Sequence, residues 1–324
     1  MVTADTVLVL TCADDPTADA VLDALRHRGA PTARMDLGDF PTVLRLSATT
    51  ADRGWAGRLG SGRTGVDLSE VRSVYYRRPT RFRLPEGLSP PDQAFAALEA
   101  RHGLGGLLAT LPALWVNDPV KTATAEYKPL QLATAARSGL RSPRTLLSNH
   151  LPDAVAFAAE VGGQVVCKQL STMVFTGDDE VMRMTYTTRV DPADIDPAGF
   201  AATVHQLQEW VPKAFEARVT VVGRTPYGVA IHAGSDAARV DWRADYDALT
   251  YRPVDVPPAV TAGLGRFMDA LGLYFGAFDF VITPDDEWIM LEVNPAGQWL
   301  WLEHEAGVPI AAALANLLAD GAPR

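Results

Sequence analysis

Two cysteines are all that this sequence of 324 residues contains, and no apolar run approaches the roughly 18 residues of a membrane span. Cys12 and Cys167 each lie in an apolar stretch (TVLVLTC, QVVCK). Buried free thiols are therefore expected rather than a disulfide, and a reducing cytoplasm with them. No basic region precedes the first apolar segment, so no signal peptide is expected. Basic charge is also in deficit. The 29 Lys+Arg against 39 Asp+Glu give a formal net charge of −10. That excludes general binding to nucleic acid or to an anionic membrane, because either would repel the average face. There is no G-x-x-x-x-G-K-[ST] phosphate loop and no G-x-S-x-G elbow, and the six histidines show no zinc-ligand spacing. One formal G-x-G-x-x-G match, Gly60 to Gly65, runs into VDLSEVRSVYY rather than a helix and reads as a hairpin loop. Lysine is scarcest of all. Only Lys121, Lys128, Lys168 and Lys213 occur, so a lysine marks a place that needs a compact ammonium on a slim stem. For Lys121, chance suffices.

What is present is the balance of a globular protein, with 48% hydrophobic and 21% charged residues, and a length suited to about two to three domains. The first hundred or so residues alternate strand and helix. Thr6–Leu10 reads as a buried parallel strand, and Asp14-Asp15-Pro16 opens a helix that stops at Gly29. Thr32–Met35 and Val71–Tyr76 read as further strands, Val43–Ala48 with Gly54–Leu59 as a hairpin or lid, and Ala94–Leu111 as a long helix. This is a Rossmann-like α/β lobe. From Ala123 to Ser138 a second helix is expected, then an extended SPRTLLS, a helix over Pro152–Val161 and the strand QVVCKQL. Strands follow at Val181–Val190, Leu207–Val211, Ala217–Val222 and Gly228–His232. Then come a helix over Pro257–Leu271, two strands, and a terminal helix over Pro309–Leu318. The C-terminal two-thirds is thus α+β.

The stretch YFGAFDFVITPDDEWIMLEVNP, Tyr274 to Pro295, carries the most chemistry. Two apolar runs flank Pro284-Asp285-Asp286-Glu287, a hairpin signal. A symmetric turn makes paired residue numbers sum to 571, which sets Asp279 across from Glu292, and alternation puts Asn294 on the same face as Glu292. Opposed carboxylates destabilise a sheet unless something neutralises them, and this oxygen set suits Mg²⁺ shared with phosphate. A solvated edge hairpin is the alternative, but these strands are too apolar for an open face. Lys168 lies in an apolar strand where a charge needs a reason, and ammonium groups at such places hold phosphates. Lys128 has the same reading, beside that of a solvated helix face. In Gln206–Gly223, a strand ending in Glu209-Trp210-Val211 and broken by Pro212 offers free backbone groups of the kind an adenine edge needs. Glu216 and Arg218 alternate onto one face of the next strand. Arg218 is either a cross-strand partner or a clamp on a transferring phosphoryl group, and Arg243 has the same two readings.

In this order, Lys128, Lys168, the Glu209–Val211 hinge, Arg218, Asp279, Glu292 and Asn294 resemble the ATP-grasp superfamily. A narrower resemblance covers nearly the whole chain. YYRRP (Tyr75–Pro79), FAALEARHGLGGLL, WVNDP, YKPLQLATAARSGL with PRTLLSN, and NPAGQWLWLE are similar to the ATP-grasp ribosomal peptide maturases, also called graspetide synthetases or microviridin-type ligases. The resemblance implies an ATP-grasp fold, α/β and α+β, with an N-terminal Rossmann-like lobe (1–118), a central α+β lobe (119–208) and a C-terminal ATP-grasp lobe with the metal site (209–324). It implies ATP and Mg²⁺ as cofactors. Lys128, Lys168, Gln208, Glu209, Trp210, Val211 and Glu216 would hold the nucleotide, and Asp279, Glu292 and Asn294 the metal. Arg218 and Arg243 would lie near the γ-phosphate and acceptor carboxylate. It also implies a homodimer that grips the leader of a ribosomal precursor peptide with an Asp/Glu/Thr-rich core. Asp or Glu side chains are then activated and joined to Ser/Thr hydroxyls or Lys amines as ω-ester or ω-amide macrocycles. Arg77 and Arg78, in the basic run Arg77, Arg78, Arg81 and Arg83, are expected to attract the acidic peptide. One departure from many ATP-grasp ligases is that Ser171–Glu180 holds only Gly177, so no glycine-rich phosphate loop is recognisable. No general base identifies itself, and Glu303 in WLWLEHE is the one candidate named for that role. Two other readings compete: a ligase of the same fold acting on free amino acids or a protein C-terminus, and a non-catalytic nucleotide- or peptide-binding module.

Overall fold

The computed structural model describes residues 5–52, 54–62, 64–171, 174–176, 182–184, 187–235, 242 and 245–321. The chain opens with β1 (Thr6–Thr11), α1 (Pro16–His27) and β2 (Thr32–Met35). After the antiparallel meander β3 (Arg45–Ala51), β4 (Gly54–Ser61) and β5 (Thr64–Asp67) come β6 (Val71–Arg78), α2 (Pro90–Leu108) and β7 (Leu114–Val116). β2, β1, β6 and β7 form a parallel sheet in that order. Strand alternation divides its faces: Val7 and Val9 pack with Val21 and Leu25 of α1, whereas Leu8 and Leu10 pack with Leu104 and Leu108 of α2. This lobe is therefore doubly wound, with its topological switch between β1 and β6. Helix α1 starts where Asp15 caps the Ala18 amide and stops before Gly29, whose φ of 67° suits a residue without a Cβ. In the Gly60–Gly65 stretch the end of β4 pairs with the start of β5, Gly60 opposite Gly65, as a hairpin rather than a dinucleotide fingerprint.

Next come α3 (Pro119–Ala125), α4 (Lys128–Arg137), β8 (Thr145–Ser148), α5 (Leu151–Glu160) and β9 (Val165–Lys168). The pair β10 (Val174–Thr176) and β11 (Met182–Met184), then β12 (Thr188–Val190), α6 (Pro197–Ala201) and β13 (His205–Glu209), complete this region. Its antiparallel sheet runs β12-β9-β13-β8. The last third holds β14 (Phe215–Val222), β15 (Thr225–Ala233), β16 (Leu249–Val254), α7 (Pro258–Leu271), β17 (Phe275–Ile282), β18 (Trp288–Asn294), α8 (Leu300–Ala306) and α9 (Ile310–Asp320). Five strands pair antiparallel in the order β16-β15-β14-β17-β18.

Several expectations change. The single helix over Ala123–Ser138 is two helices, because Pro129 lacks the amide that a continuous helix needs and Tyr127 is extended. The single strand over Val181–Val190 is divided into β11 and β12, and Ala94–Leu111 is a helix displaced to Pro90–Leu108 by its Ser89 cap. The short elements β7, β16, α6 and α8 had no signal in the sequence long enough to read. Cys12 and Cys167 are free, as expected, but only half-buried.

Two packing facts cross the lobes. Ala125 of α3 and Ala135 of α4 join Phe267, Phe278 and Met290 in the core on one face of the five-stranded sheet. Residues 119–137 thus pack on the C-terminal sheet rather than on the central one. On its other face, Phe275, Trp299, Leu302, Leu314 and Leu318 share one core with Val7, Val9 and Val21 of the N-terminal lobe.

Candidate active site

β17 is buried at all eight positions. Phe278 and Phe280 point into the core, and Asp279 between them points to the opposite face. The register puts Asp279 opposite Glu292 and Ala277 opposite Asn294, each summing to 571. Nearer the turn the sum is 570, as in Phe280 opposite Met290, and a bulge at Leu291 restores the difference. The turn is therefore centred on Asp285, half a residue from the assumed symmetry, with Asp286 left-handed at φ 59°. The expected pairing holds at the site through this compensation.

Each carboxylate meets a side-chain cation. Arg218 on β14 is the cross-strand neighbour of Asp279, and its Nη1 donates to both Asp279 oxygens at 2.9 and 3.0 Å. Arg218 and Asp279 are each 5% exposed. Lys128, at the first turn of α4, donates from Nζ to Glu292 Oε2. Gln131, one turn further on, fixes α4 to β18: its amide donates to Val293 O at 2.9 Å and its oxygen accepts the Val293 N–H at 3.0 Å. Asn294 Oδ1 accepts the Ala296 N–H at 3.0 Å, which orients it and leaves its second lone pair. Asp279, Glu292 and Asn294 thus give hard oxygen donors on one face, the chemistry that a magnesium ion requires. The residues present fit such an ion.

The cleft above this face lies between the two antiparallel sheets. Its inner part is lined by Val166, Lys168, Gln208–Val211, Lys213, Glu216 and Asp279. The contiguous outer part is lined by Lys128, Lys168, Arg218, Glu292, Asn294 and Trp301, among others. Lys168, at the end of β9, makes no ion pair among the described residues. At the hinge, two amides are already committed: Glu209 N donates to Arg144 O at 3.0 Å and Trp210 N to Gln164 O at 2.9 Å. Among the described residues, the free backbone donors expected there reduce to the Val211 N–H. Gln208 is buried and donates to Thr145 Oγ1 at 3.0 Å. Glu216 pairs with Lys213, and the Trp210 ring is approached by Arg189, 4.0 Å from its centroid, and by Lys213, 5.3 Å from it.

Two expected residues are placed differently, and a third lies outside the described residues. Arg77 is 6% exposed and turned inward, donating to Ala296 O at 2.8 Å and Gln298 Oε1 at 2.6 Å, beside Asp15. It does not meet a peptide from solution. Strand alternation leaves only its neighbour Arg78 outward and exposed. Glu303 accepts the Ala311 N–H at 2.7 Å, capping α9 rather than facing the cleft, so it is no base. Arg243 lies outside the described residues, although its neighbour Trp242 lines the cleft.

With this geometry in place, the comparisons decide the lineage. The family described as the MvdD pre-ATP grasp domain matches residues 6–123. The macrocyclase MdnC of Microcystis aeruginosa MRC, solved bound with precursor peptide MdnA, is 30% identical over 97% of this chain and 99% of its own, with a TM-score of 0.83. This chain belongs to the ATP-grasp peptide maturases. The macrocyclase MdnB of the same organism is also 30% identical over 97% of this chain and 99% of its own, with a TM-score of 0.77. The Chryseobacterium gregarium ATP-grasp ligase associated with ribosomally synthesised, modified peptides was solved with ADP and a leader and core peptide. It is 27% identical over 99% of this chain and 98% of its own, with a TM-score of 0.89. No curated protein matches. No helix among the described residues is long and apolar enough to cross a membrane.

Sequence reading missed several residues that hold this maturase's site. Asn117, 4% exposed, donates to Phe275 O and Pro295 O, both at 2.8 Å, and accepts the Tyr274 and Phe275 amides. Gln131 and Gln298 were missed likewise. Their signal, an amide side chain inside an otherwise apolar or small-residue pattern, is faint: nothing local names the partner.

Proposed function

We propose that this protein is an ATP- and Mg²⁺-dependent ligase. It phosphorylates Asp or Glu side-chain carboxylates of a ribosomal precursor peptide and closes them onto Ser/Thr hydroxyls or Lys amines, as ω-ester or ω-amide macrocycles. The observation that carries this reading is the convergence of Lys128, Lys168, Arg218, Asp279, Glu292 and Asn294 on one hinge-walled cleft. It stands in a chain similar end to end to a macrocyclase solved with its precursor peptide.

ATP supplies the phosphoryl group that turns a poor electrophile into an acyl phosphate, and Mg²⁺ neutralises phosphate oxygens. Attack on the acyl carbon then expels phosphate, and the peptide loses one water per ring. The chain's own residues do the rest. Asp279, Glu292 and Asn294 hold the ion, and Lys128 and Lys168 face the phosphates as point charges. Gln208, the Val211 N–H, Trp210 and Glu216 wall the nucleoside, with Glu209 bracing the hinge through the Arg144 amide. Arg218, locked to Asp279, presents a preorganised guanidinium to the transferring group. Arg243 retains its proposed place near the acceptor carboxylate, and Arg78 offers charge to an acidic core. Holding a nucleophile and an acyl phosphate at near-attack distance is then the remaining requirement. A homodimer that grips the leader of the precursor, in the cytoplasm, completes the reading.

The test is the intact mass of a synthetic peptide with a leader and a Thr/Asp/Glu-rich core, incubated with this protein, ATP and Mg²⁺. A loss of about 18 Da per ring with matching ADP release is the expected result, since each condensation removes one water. Consumption of free amino acids, with no peptide-dependent ADP release across a panel of such peptides, would overturn it in favour of a small-carboxylate ligase. Light scattering of the purified protein checks the dimer.

A further inference from the structure

In open α/β sheets the crevice at the carboxyl ends of the strands, at the topological switch, is where ligands bind. Here that crevice lies between the ends of β1 and β6, at Thr11 and Arg77–Arg78. A loop of the C-terminal lobe fills it. Arg77 donates to Ala296 O and Gln298 Oε1, and Thr17 Oγ1 donates to the same Gln298 oxygen at 3.0 Å. Asn117 donates to Pro295 O at 2.8 Å. The cluster is buried: Arg77, Asp15, Thr11, Thr17 and Asn117 are each less than 9% exposed. Asp15 Oδ2 accepts from Thr11 Oγ1 at 2.6 Å and lies 3.8 Å from Arg77 Nε, so the guanidinium has a fixed counter-charge.

The loop so held is the continuation of the site. Asn294 precedes it and is oriented by the Ala296 amide, whose own residue's carbonyl Arg77 holds. On the far side, Arg218 Nη2 donates to Gln298 O at 3.4 Å while its Nη1 grips Asp279. A Cβ on Gly297 would lie 2.9 Å from that same Nη2. Five residues, Asn294 to Gln298, are thus pinched between Arg77 of the N-terminal lobe and Arg218 of the catalytic sheet.

We infer that Arg77 is a positioning residue for the metal site: anchored on Asp15, it holds the Asn294–Gln298 loop so that Asn294 and Arg218 face the cleft. The N-terminal lobe thereby becomes part of the metal site. The inference rests on the reading of the cleft given above.

Removing groups that orient metal ligands costs typically 10- to 100-fold in metal affinity. The experiment measures ADP binding by calorimetry, in EDTA and across a Mg²⁺ titration, for the parent, Arg77→Lys, Arg77→Met and Gln298→Ala. Arg77→Met strands a buried carboxylate and carries a folding risk, whereas Gln298→Ala keeps the Arg77–Asp15 pair intact. Expected is a rise of about tenfold in the Mg²⁺ concentration that half-saturates ADP binding, with affinity in EDTA changed less than about twofold. Arg77→Lys keeps the charge but not the two-pronged donation and is expected to shift as well. Hydrogen exchange of the metal-free protein is expected to speed up over residues 294–298. Folded variants with the parental Mg²⁺ response would overturn the inference and leave the cleft's function standing. A parent whose ADP binding ignores Mg²⁺ would overturn the cleft's reading, and the inference with it.

Discussion

Asp279 and Glu292 face each other across two strands and share one proposed ion, yet their neutral variants should part company in stability. Asp279 and Arg218 form a pair with each side chain 6% exposed, and one guanidinium nitrogen reaches both carboxylate oxygens. Asp279→Asn leaves a buried guanidinium uncompensated, which costs about 3–5 kcal/mol. Against a domain stability of about 5–15 kcal/mol, that is a large fraction. Glu292 and Lys128 are 19% and 21% exposed, so water screens what remains after Glu292→Gln, and the loss should be about 1 kcal/mol. Both variants remove an ion ligand and should lower ligation by two to three powers of ten, about 3–4 kcal/mol in the barrier. Urea unfolding followed by circular dichroism, beside ADP release at saturating ATP and Mg²⁺, separates the two quantities. The double variant Asp279→Asn/Arg218→Met should regain most of the lost stability and none of the activity, because removing both charges removes the desolvation penalty. Equal stability of the two single variants would refute the argument from burial. Full activity in Glu292→Gln would refute the metal site itself.

Gly297→Ala would set a Cβ 2.6 Å from the Ala277 Cβ and 2.9 Å from Arg218 Nη2, and should cost about 1–3 kcal/mol of stability along with much of the activity. Thermal unfolding and ADP release check it. Gln131→Leu leaves the Ala125 and Val293 backbone groups unpaired in a buried position and should lose about 3 kcal/mol in urea unfolding, with α4 and its Lys128 loosened. Burial pushes the Tyr75 hydroxyl up to about 12, above its ordinary 10. The unfolded chain therefore gives up that proton first, and the stability this contributes is present below pH 10 and lost as pH rises towards 12. Tyr75→Phe should show a shallower alkaline loss over that window in urea midpoints, and an unchanged slope would refute it.

Much of the proposed site was legible because it is local. The β17–β18 hairpin joins its two strands through a few residues, so alternation alone set Asp279, Glu292 and Asn294 on one face. Lys168 was marked by rarity and by its apolar strand, and Lys128 by rarity alone, against the reading of a solvated helix face. The order of Lys128, Lys168, the Glu209–Val211 hinge, Arg218, Asp279, Glu292 and Asn294 carried the resemblance to the ATP-grasp superfamily. Arg77 shows the limit. A basic residue at the end of an apolar strand reads as exposed charge, and only the arrival of Ala296 and Gln298, more than 200 positions later in the chain, turns it into a buried anchor.

The sequence by itself determined the elements whose signals are short-ranged: the parallel strands, the capped helices and the carboxylate face of the last hairpin. Tertiary structure alone decided which cation meets which carboxylate and which hinge amides are spent. It also decided that residues 119–137 pack on the C-terminal sheet, and that the N-terminal crevice holds a protein loop. The physical reason is range. Caps, turns and strand alternation are fixed by neighbours a few residues apart, whereas a buried charge takes its partner from whatever the packed lobes bring within reach, and no pattern along the chain records that distance.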